Sequence, residues 1–242
     1  MNKLSNFGYT KVTNKEKTKL VQKVFSDVAS NYDLMNDVMS FGAHRLWKRT
    51  FIDIINPSYG DKIIDVGSGS GDVVLEIQKK YSNAKIDIVD LNKAMLQEGK
   101  KRIKSGNINF YQQNAENLMF PDNSYDKYII SFCLRNITDI DQSFREAFRI
   151  LKPGGQYYCL EFSRPSSFLI SNIYSYYKSN LIPTLGKILS NNRDAYNYLS
   201  ESIDMFPNQK DLKKRMELTG FTSVKFINLF NGIVSIHTGF KY

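Results

Sequence analysis

Three glycines at alternate positions close the apolar run Ile63-Ile64-Asp65-Val66-Gly67-Ser68-Gly69-Ser70-Gly71-Asp72, which reads as a strand feeding a tight turn. Glycine there admits positive φ and lets a ligand reach the peptide groups without meeting a Cβ. The apolar-periodic Val73-Val74-Leu75-Glu76-Ile77 follows at once, so a helix begins at the turn with its free N–H groups beside the ligand. Gly-x-Gly-x-Gly followed by Asp is neither the Gly-x-Gly-x-x-Gly of an NAD site nor a Gly-Lys-Ser/Thr triphosphate cradle. S-adenosylmethionine has no pyrophosphate and fits the turn better, with Asp65 available to its α-amino group. Asp72 also has a purely structural reading, as a residue favoured by the helix dipole.

Nineteen residues beyond Gly71, Asp90 ends the run Ile86-Asp87-Ile88-Val89-Asp90. A carboxylate at the carboxyl edge of a parallel sheet accepts the hydroxyls of a ribose. NAD and S-adenosylmethionine enzymes share that device, so Asp90 supports a nucleoside without choosing between them. Asn114-Ala115-Glu116 falls where an adenine would rest, and Ser131 ends the next strand. Each of these is also an ordinary polar loop residue.

The elements that must position these groups alternate. Strands are expected near 62–66, 85–90, 107–112, 126–132 and 155–161, with helical patterns between them, which is a parallel doubly wound α/β sheet. Ahead of it, Leu20, Val21, Val24, Phe25 and Val28 recur at helical spacing over 16–29, giving a helix that caps the pocket or packs on the sheet. Tyr32 to Arg49 reads as helix, turn, helix, and concentrates Tyr, Asp, Asn, His44 and Trp47. Lys152-Pro153-Gly154-Gly155 is a turn into the strand at Tyr157. Ile170, Ile173, Tyr174, Tyr177, Leu181, Leu185 and Ile188 lie at helical intervals kinked at Pro183, followed by a helix over 195–204. A helix from Gln209 to Thr219, a Gly220 stop and strands over 222–230 and 233–240 finish the sheet, seven strands in all with an antiparallel end. The 242 residues suit one domain: a helical cap to residue 50, a cofactor-binding core over 51–165, a helical insertion over 166–204 and a C-terminal helix with strands over 205–242.

Lys and Arg number 33 against 24 Asp and Glu, an excess that attracts anionic surfaces such as nucleic acid or bilayer. The lysines are spread along the chain with no basic run interleaved with aromatics, so no nucleic-acid partner is expected. Cys133 and Cys159 fall in apolar strand-like runs and, with only His44 and His237 beside them in the chain, make no metal-ligand spacing. Both read as reduced core residues, and no metal is expected. No run of eighteen apolar residues occurs, and no secretory signal or Arg-rich transit peptide opens the sequence.

Four stretches carry a resemblance. Tyr32-Asp33-Leu34-Met35-Asn36 through His44 and Trp47, Ser131-Phe132-Cys133-Leu134-Arg135-Asn136-Ile137-Thr138-Asp139, Arg149-Ile150-Leu151-Lys152-Pro153-Gly154-Gly155 through Glu161 and Ser163, and Tyr198-Leu199-Ser200-Glu201-Ser202-Ile203 are similar to signatures of the UbiE/Coq5 C-methyltransferases. The likeness runs from about Phe7 to Tyr242. It implies a class I S-adenosylmethionine-dependent methyltransferase fold, Rossmann-like, and methylation of a ring carbon of a polyprenylated quinol with S-adenosylmethionine as donor. Benzoquinol in ubiquinone biosynthesis is favoured over the naphthoquinol of the menaquinone route. Carried over by position, Gly67, Gly69, Ser70, Asp90, Asn114, Ala115 and Ser131 would bind the cofactor. Ser70 stands where threonine is frequent in the family, and Cys133 where glycine is usual.

A quinol ring carbon becomes nucleophilic when the adjacent hydroxyl loses its proton. On the family reading, Arg135 is too basic to accept that proton, but its fixed cation can lower the hydroxyl pKa and orient a water that takes it. Asn136 can hold the same water or the quinol oxygen. His44 is an alternative base and also an ordinary candidate for a structural histidine. Glu161 carries the same ambiguity. The expected partners are a second copy in a homodimer, a quinone-biosynthesis complex, and a membrane surface on which the apolar stripe of the insertion docks to collect a polyprenyl tail, unless that stripe packs on the sheet or a dimer partner. The place is the matrix side of the mitochondrial inner membrane, or alternatively the bacterial cytoplasm. Rival readings are an RNA or protein methyltransferase, an NAD dehydrogenase, and a non-catalytic scaffold that keeps the cofactor fold.

Overall fold

The computed structural model describes residues 4–29, 36–37, 40–104, 106–165, 167, 174 and 193–242. Its centre is a seven-stranded sheet in the order β5-β4-β3-β6-β7-β9-β8. The strands are β3 (Lys62–Val66), β4 (Lys85–Asp90), β5 (Ile108–Gln112), β6 (Tyr125–Ser131), β7 (Leu151–Phe162), β8 (Thr222–Leu229) and β9 (Val234–Phe240). Pairings from β5 through β7 are parallel, and β9 runs antiparallel to both β7 and β8. The chain winds outward from β3 to β5, then returns to β6 on the other side of β3, and that reversal opens a crevice at the carboxyl ends of the central strands.

Residue alternation divides the core between the two sheet faces. Ile64, Val66, Tyr128, Ile130 and Tyr157 join one cluster with α5 (Ile140–Ile150) and α7 (Gln209–Thr219). Ile63, Ile129, Tyr158 and Leu160 join the other, with α2 (Ala43–Ile55), α3 (Asp72–Lys80) and α4 (Lys93–Arg102). In α2 the buried set His44, Trp47, Lys48, Phe51, Ile52 and Ile55 lies on one helical stripe, so packing of Trp47 and Phe51 on the sheet fixes where His44 and Lys48 must sit.

Two differences from the sequence reading have local causes. The Pro153-Gly154-Gly155 turn lies inside β7: the strand begins at Leu151 opposite Tyr125 and resumes register at Gln156 opposite Lys127, so the extra residues form a bulge with Gly154 at φ 81°. Ahead of the helical cap stands a hairpin of β1 (Leu4–Phe7) and β2 (Thr10–Thr13) that the sequence reading did not contain. Thr13 then caps α1 (Asn14–Val28) in a reciprocal box with Glu16. The helix expected over 195–204 is α6 (Arg193–Met205). The stripe Ile170, Ile173, Tyr177, Leu181, Leu185 and Ile188, the kink at Pro183, and Tyr32 to Met35 lie outside the described residues.

Candidate active site

Gly67, Gly69 and Gly71 all have left-handed backbone, φ 67°, 59° and 81°, which curls the chain from β3 into α3. Asp90 at the end of β4 closes this turn: its carboxylate accepts the Gly69 N–H at 2.8 Å and the Asn92 N–H at 2.7 Å. Burial raises the Asp90 pKa against these bonds. Asp65 does not line the cleft. It is fully buried in β3, accepts the Ser68 hydroxyl at 2.6 Å, and burial pushes its pKa up to about 7. The pairing of Asp65 with a cofactor amine expected from sequence is therefore replaced by support of the turn through Ser68.

A cleft lies above the turn, lined by Gly67, Gly69, Asp90, Asn92, Asn114, Ala115 and Glu116 on the sheet side. Its roof is α1, whose Val21 and Phe25 face the cleft, so the helix caps the pocket and does not pack on the sheet. Polar ties hold the roof on both sides. Lys17 donates to the Ile137 carbonyl at 2.8 Å, and the Asn92 amide donates to the Gln22 carbonyl and the Ser26 hydroxyl, each at 2.9 Å. Burial lowers the Lys17 pKa to about 8. Neither Lys17 nor Asn92 was among the sequence candidates. Their partners are a carbonyl and a helix end remote in the chain, which leave no local pattern.

A second cavity meets the first at Phe25, Gly67, Phe132 and Asn136. Ser70, Ser131, Arg135, His44, Lys48 and Tyr198 line it, so the structure separates Ser70 and Ser131 from the Asp90 cleft. Ser70 is buried and its hydroxyl accepts from Arg102 at 2.9 Å. Asp72 lies between Lys48 at 2.8 Å and Arg102 at 2.7 Å. Burial pushes its pKa up, but the two cations more than reverse that and hold it below the usual carboxylate range. The residue is a charge hub as well as a helix-dipole partner.

Arg135 and Asn136 sit in a 3₁₀ turn after β6, and both are buried. The Arg135 guanidinium donates to Glu161 at 2.7 Å and to the Phe132 carbonyl at 2.7 Å. Glu161 also accepts the backbone N–H groups of Arg135 at 3.2 Å and Phe162 at 2.8 Å, and it lines neither cavity. That occupancy removes Glu161 as a substrate base and makes it the anchor of Arg135. The Tyr198 hydroxyl donates to the Asn136 side-chain oxygen at 2.9 Å, and Phe7 of the hairpin stacks on Tyr198 at 4.3 Å. Cys159 is in the core as expected, whereas Cys133 borders the cofactor cleft. A Cβ built on Gly67 would lie 2.1 Å from the Cys133 sulfur.

The cleft fits the nucleoside it was expected to hold. The half-buried Asp90 carboxylate lines the cleft where it can accept hydroxyls, the glycines have no side chains to cover the peptide groups of the turn, and no basic side chain for a diphosphate lines the cleft. Fold and cleft together define the class: a class I S-adenosylmethionine-dependent methyltransferase. Solved structures agree at the level of fold. A methyltransferase of this kind from Thermotoga maritima superposes with TM-score 0.66 at 20% identity, covering 92% of this chain and 100% of its own. Phosphoethanolamine N-methyltransferase 2 of Haemonchus contortus, solved with S-adenosylmethionine, gives 0.60 at 17% identity over 80% of this chain and 52% of its own. The model of the ubiE/COQ5 methyltransferase family matches residues 11–241, and the chain belongs to that family. It is 46% identical to the ubiquinone/menaquinone biosynthesis C-methyltransferase UbiE of Rickettsia bellii, over 98% of both chains. Against UbiE of Haemophilus ducreyi the identity is 43%, over 100% of this chain and 95% of that one.

Proposed function

We propose that the chain methylates a ring carbon of a polyprenylated benzoquinol in ubiquinone biosynthesis, with the naphthoquinol of the menaquinone route as the second substrate class. The observation that carries the reading is the junction of the two cavities at Gly67, Phe132 and Asn136, beside Arg135 and within a chain of the ubiE/COQ5 family. Gly67, Gly69, Asp90, Asn114 and Ala115 hold the nucleoside side, and Ser70 and Ser131 stand at the cofactor's methionine end. Bound S-adenosylmethionine supplies a methyl carbon activated by a sulfonium leaving group. Arg135, fixed by Glu161, and Asn136, fixed by Tyr198, orient the quinol oxygen so that the adjacent carbon faces that methyl in line.

Among the described residues no helix is long and apolar enough to cross a membrane. The reading includes peripheral contact with a bilayer, where a polyprenyl substrate resides, and extends to a homodimer within a quinone-biosynthesis assembly. The relatives compared are bacterial, which supports the cytoplasmic face of a bacterial membrane over the mitochondrial matrix face. The test is anaerobic incubation of the purified protein with S-adenosylmethionine and either a 2-methoxy-6-polyprenyl-1,4-benzoquinol or a demethylmenaquinol, read by mass spectrometry. A product heavier by one methylene from the benzoquinol is expected. Binding of the cofactor without transfer to either quinol would favour the scaffold reading instead.

A further inference from the structure

On the wall of the second cavity stands His44, whose Nε2 is 2.8 Å from Oδ1 of Asp37, a residue outside the cavity lining. Arg45 grips the same carboxylate through Nε at 2.9 Å and Nη2 at 2.6 Å, which holds the Asp37 carboxyl well below the usual carboxylate range. An ionised Asp37 only accepts, so the imidazole proton belongs on Nε2, and Nδ1 carries the free lone pair. That Nδ1 is buried and has no hydrogen-bond partner among the described residues. The Ser40 hydroxyl, itself donating to the Asn36 carbonyl, accepts the His44 backbone N–H and fixes the start of α2. A buried, oriented and unused acceptor on a residue that lines a cavity is what a general base requires.

The other ionisable side chains of this cavity are committed. Lys48 and Asp72 neutralise each other, Arg135 is paired with Glu161, and Tyr198 is held protonated by burial. Burial keeps His44 below the ordinary histidine pKa, with Lys48 acting in the same direction and Asp37 and Asp72 opposing it, so the ring is neutral at pH 7.

We propose that His44 is the base that removes the acceptor's hydroxyl proton, and that Asp37, gripped by Arg45, is the residue that positions it. The proposal rests on the quinol reading above. The proton passes from the quinol oxygen to Nδ1, and the oxygen's electrons make the ortho carbon a nucleophile. That carbon bonds to the methyl group as the methyl–sulfur bond breaks, its electron pair staying on sulfur to give S-adenosylhomocysteine. The ring carbon then loses its own proton to water, and His44 returns its proton to the oxygen. One proton is released per turnover.

The test compares wild type with His44→Gln, and with Asp37→Asn, which breaks the carboxylate's hold while leaving the imidazole. Anaerobic single-turnover transfer to the benzoquinol is followed from pH 5.5 to 9. His44→Gln should lose about a hundredfold to ten-thousandfold in rate, with S-adenosylhomocysteine affinity within about twofold of wild type. Its residual rate should climb about tenfold per pH unit, whereas wild type levels off above the histidine pKa. In complexes with S-adenosylhomocysteine, ultraviolet difference spectra should show the bound quinol more ionised in wild type. A wild-type rate and pH profile in His44→Gln overturns the proposal. So does a loss that tracks cofactor affinity, which would assign His44 to the cofactor's ammonium group. Should the variants fail to fold, nitrogen NMR of the two histidines of the wild-type protein decides: an Nε2–H tautomer of His44 is expected, and an Nδ1–H tautomer overturns the proposal. A wild type that transfers no methyl to any quinol defeats the quinol reading itself, while the tautomer still reports on the pair.

Discussion

Replacing Asp90 by alanine strips the cleft of its half-buried carboxylate and releases the two N–H groups, of Gly69 and Asn92, that the carboxylate now accepts. Hydrogen bonds to a charged acceptor are worth about 1.5–3 kcal/mol each. Two ribose hydroxyls would therefore contribute about 3–6 kcal/mol before the cost of holding an ionised carboxylate in the fold is subtracted, and burial does raise the Asp90 pKa. A net loss of about 2–3 kcal/mol remains, roughly a hundredfold in affinity. Calorimetry with S-adenosylhomocysteine at pH 7.5 measures it, and thermal melts of the free proteins separate it from damage to the turn. The raised pKa adds a sign: wild-type affinity should weaken as pH falls through it, and the variant's affinity should be flat over the same range. An Asp90→Ala protein that melts like wild type and binds within threefold would remove Asp90 from the site.

Arg135→Ala should spare S-adenosylhomocysteine affinity, lower single-turnover methyl transfer and lower the melting temperature, because Glu161 is left buried without its cation, at a cost of about 3–5 kcal/mol. Arg135→Lys should not restore the rate, since a compact ammonium on a shorter, flexible stem does not reproduce a planar guanidinium whose Nη1 donates to both Glu161 and the Phe132 carbonyl; a wild-type rate in either variant would refute the role. Asp65 binds its proton more tightly in the fold, pKa about 7, than unfolded, so its contribution to stability is present below the unfolded pKa and lost as pH rises through 7. Denaturant unfolding at pH 5 and pH 8 should accordingly show Asp65→Asn losing part of the wild-type decline, and an unchanged decline would contradict the assignment. For the membrane contact, a folded Ile173→Asp, Tyr177→Asp double variant should cosediment less with anionic liposomes and lose preference for long-tailed quinols. Wild-type behaviour in both assays would make the insertion structural only.

What could be read from the sequence was what the backbone and burial demand locally. The glycine turn, the strands 62–66 and 85–90, and the helix ending at Gly220 lie where the pattern put them, because positive φ and apolar alternation leave few other solutions. The β1–β2 hairpin escaped because its strands of four residues are largely polar and bury little. Side-chain partnerships were the least legible. Arg135 meets Glu161 across 26 residues and Asn136 meets Tyr198 across 62, pairings that only the order of strands and helices decides. Ser70 and Ser131, expected from sequence to bind the cofactor, line the second cavity, a placement that the order of strands likewise decides.

The contact between Gly67 and Cys133 has a historical meaning. The sulfur occupies the space that any side chain at position 67 would need, so the two positions share one allotment of volume across the floor of the cofactor cleft. A lineage that carries cysteine at 133 has closed position 67 twice over, by the sulfur and by the left-handed backbone at φ 67°, and shrinking 133 lifts only the first of the two bars. The turn beside Arg135 is thereby held to glycine by two independent causes, so a single substitution elsewhere does not free it.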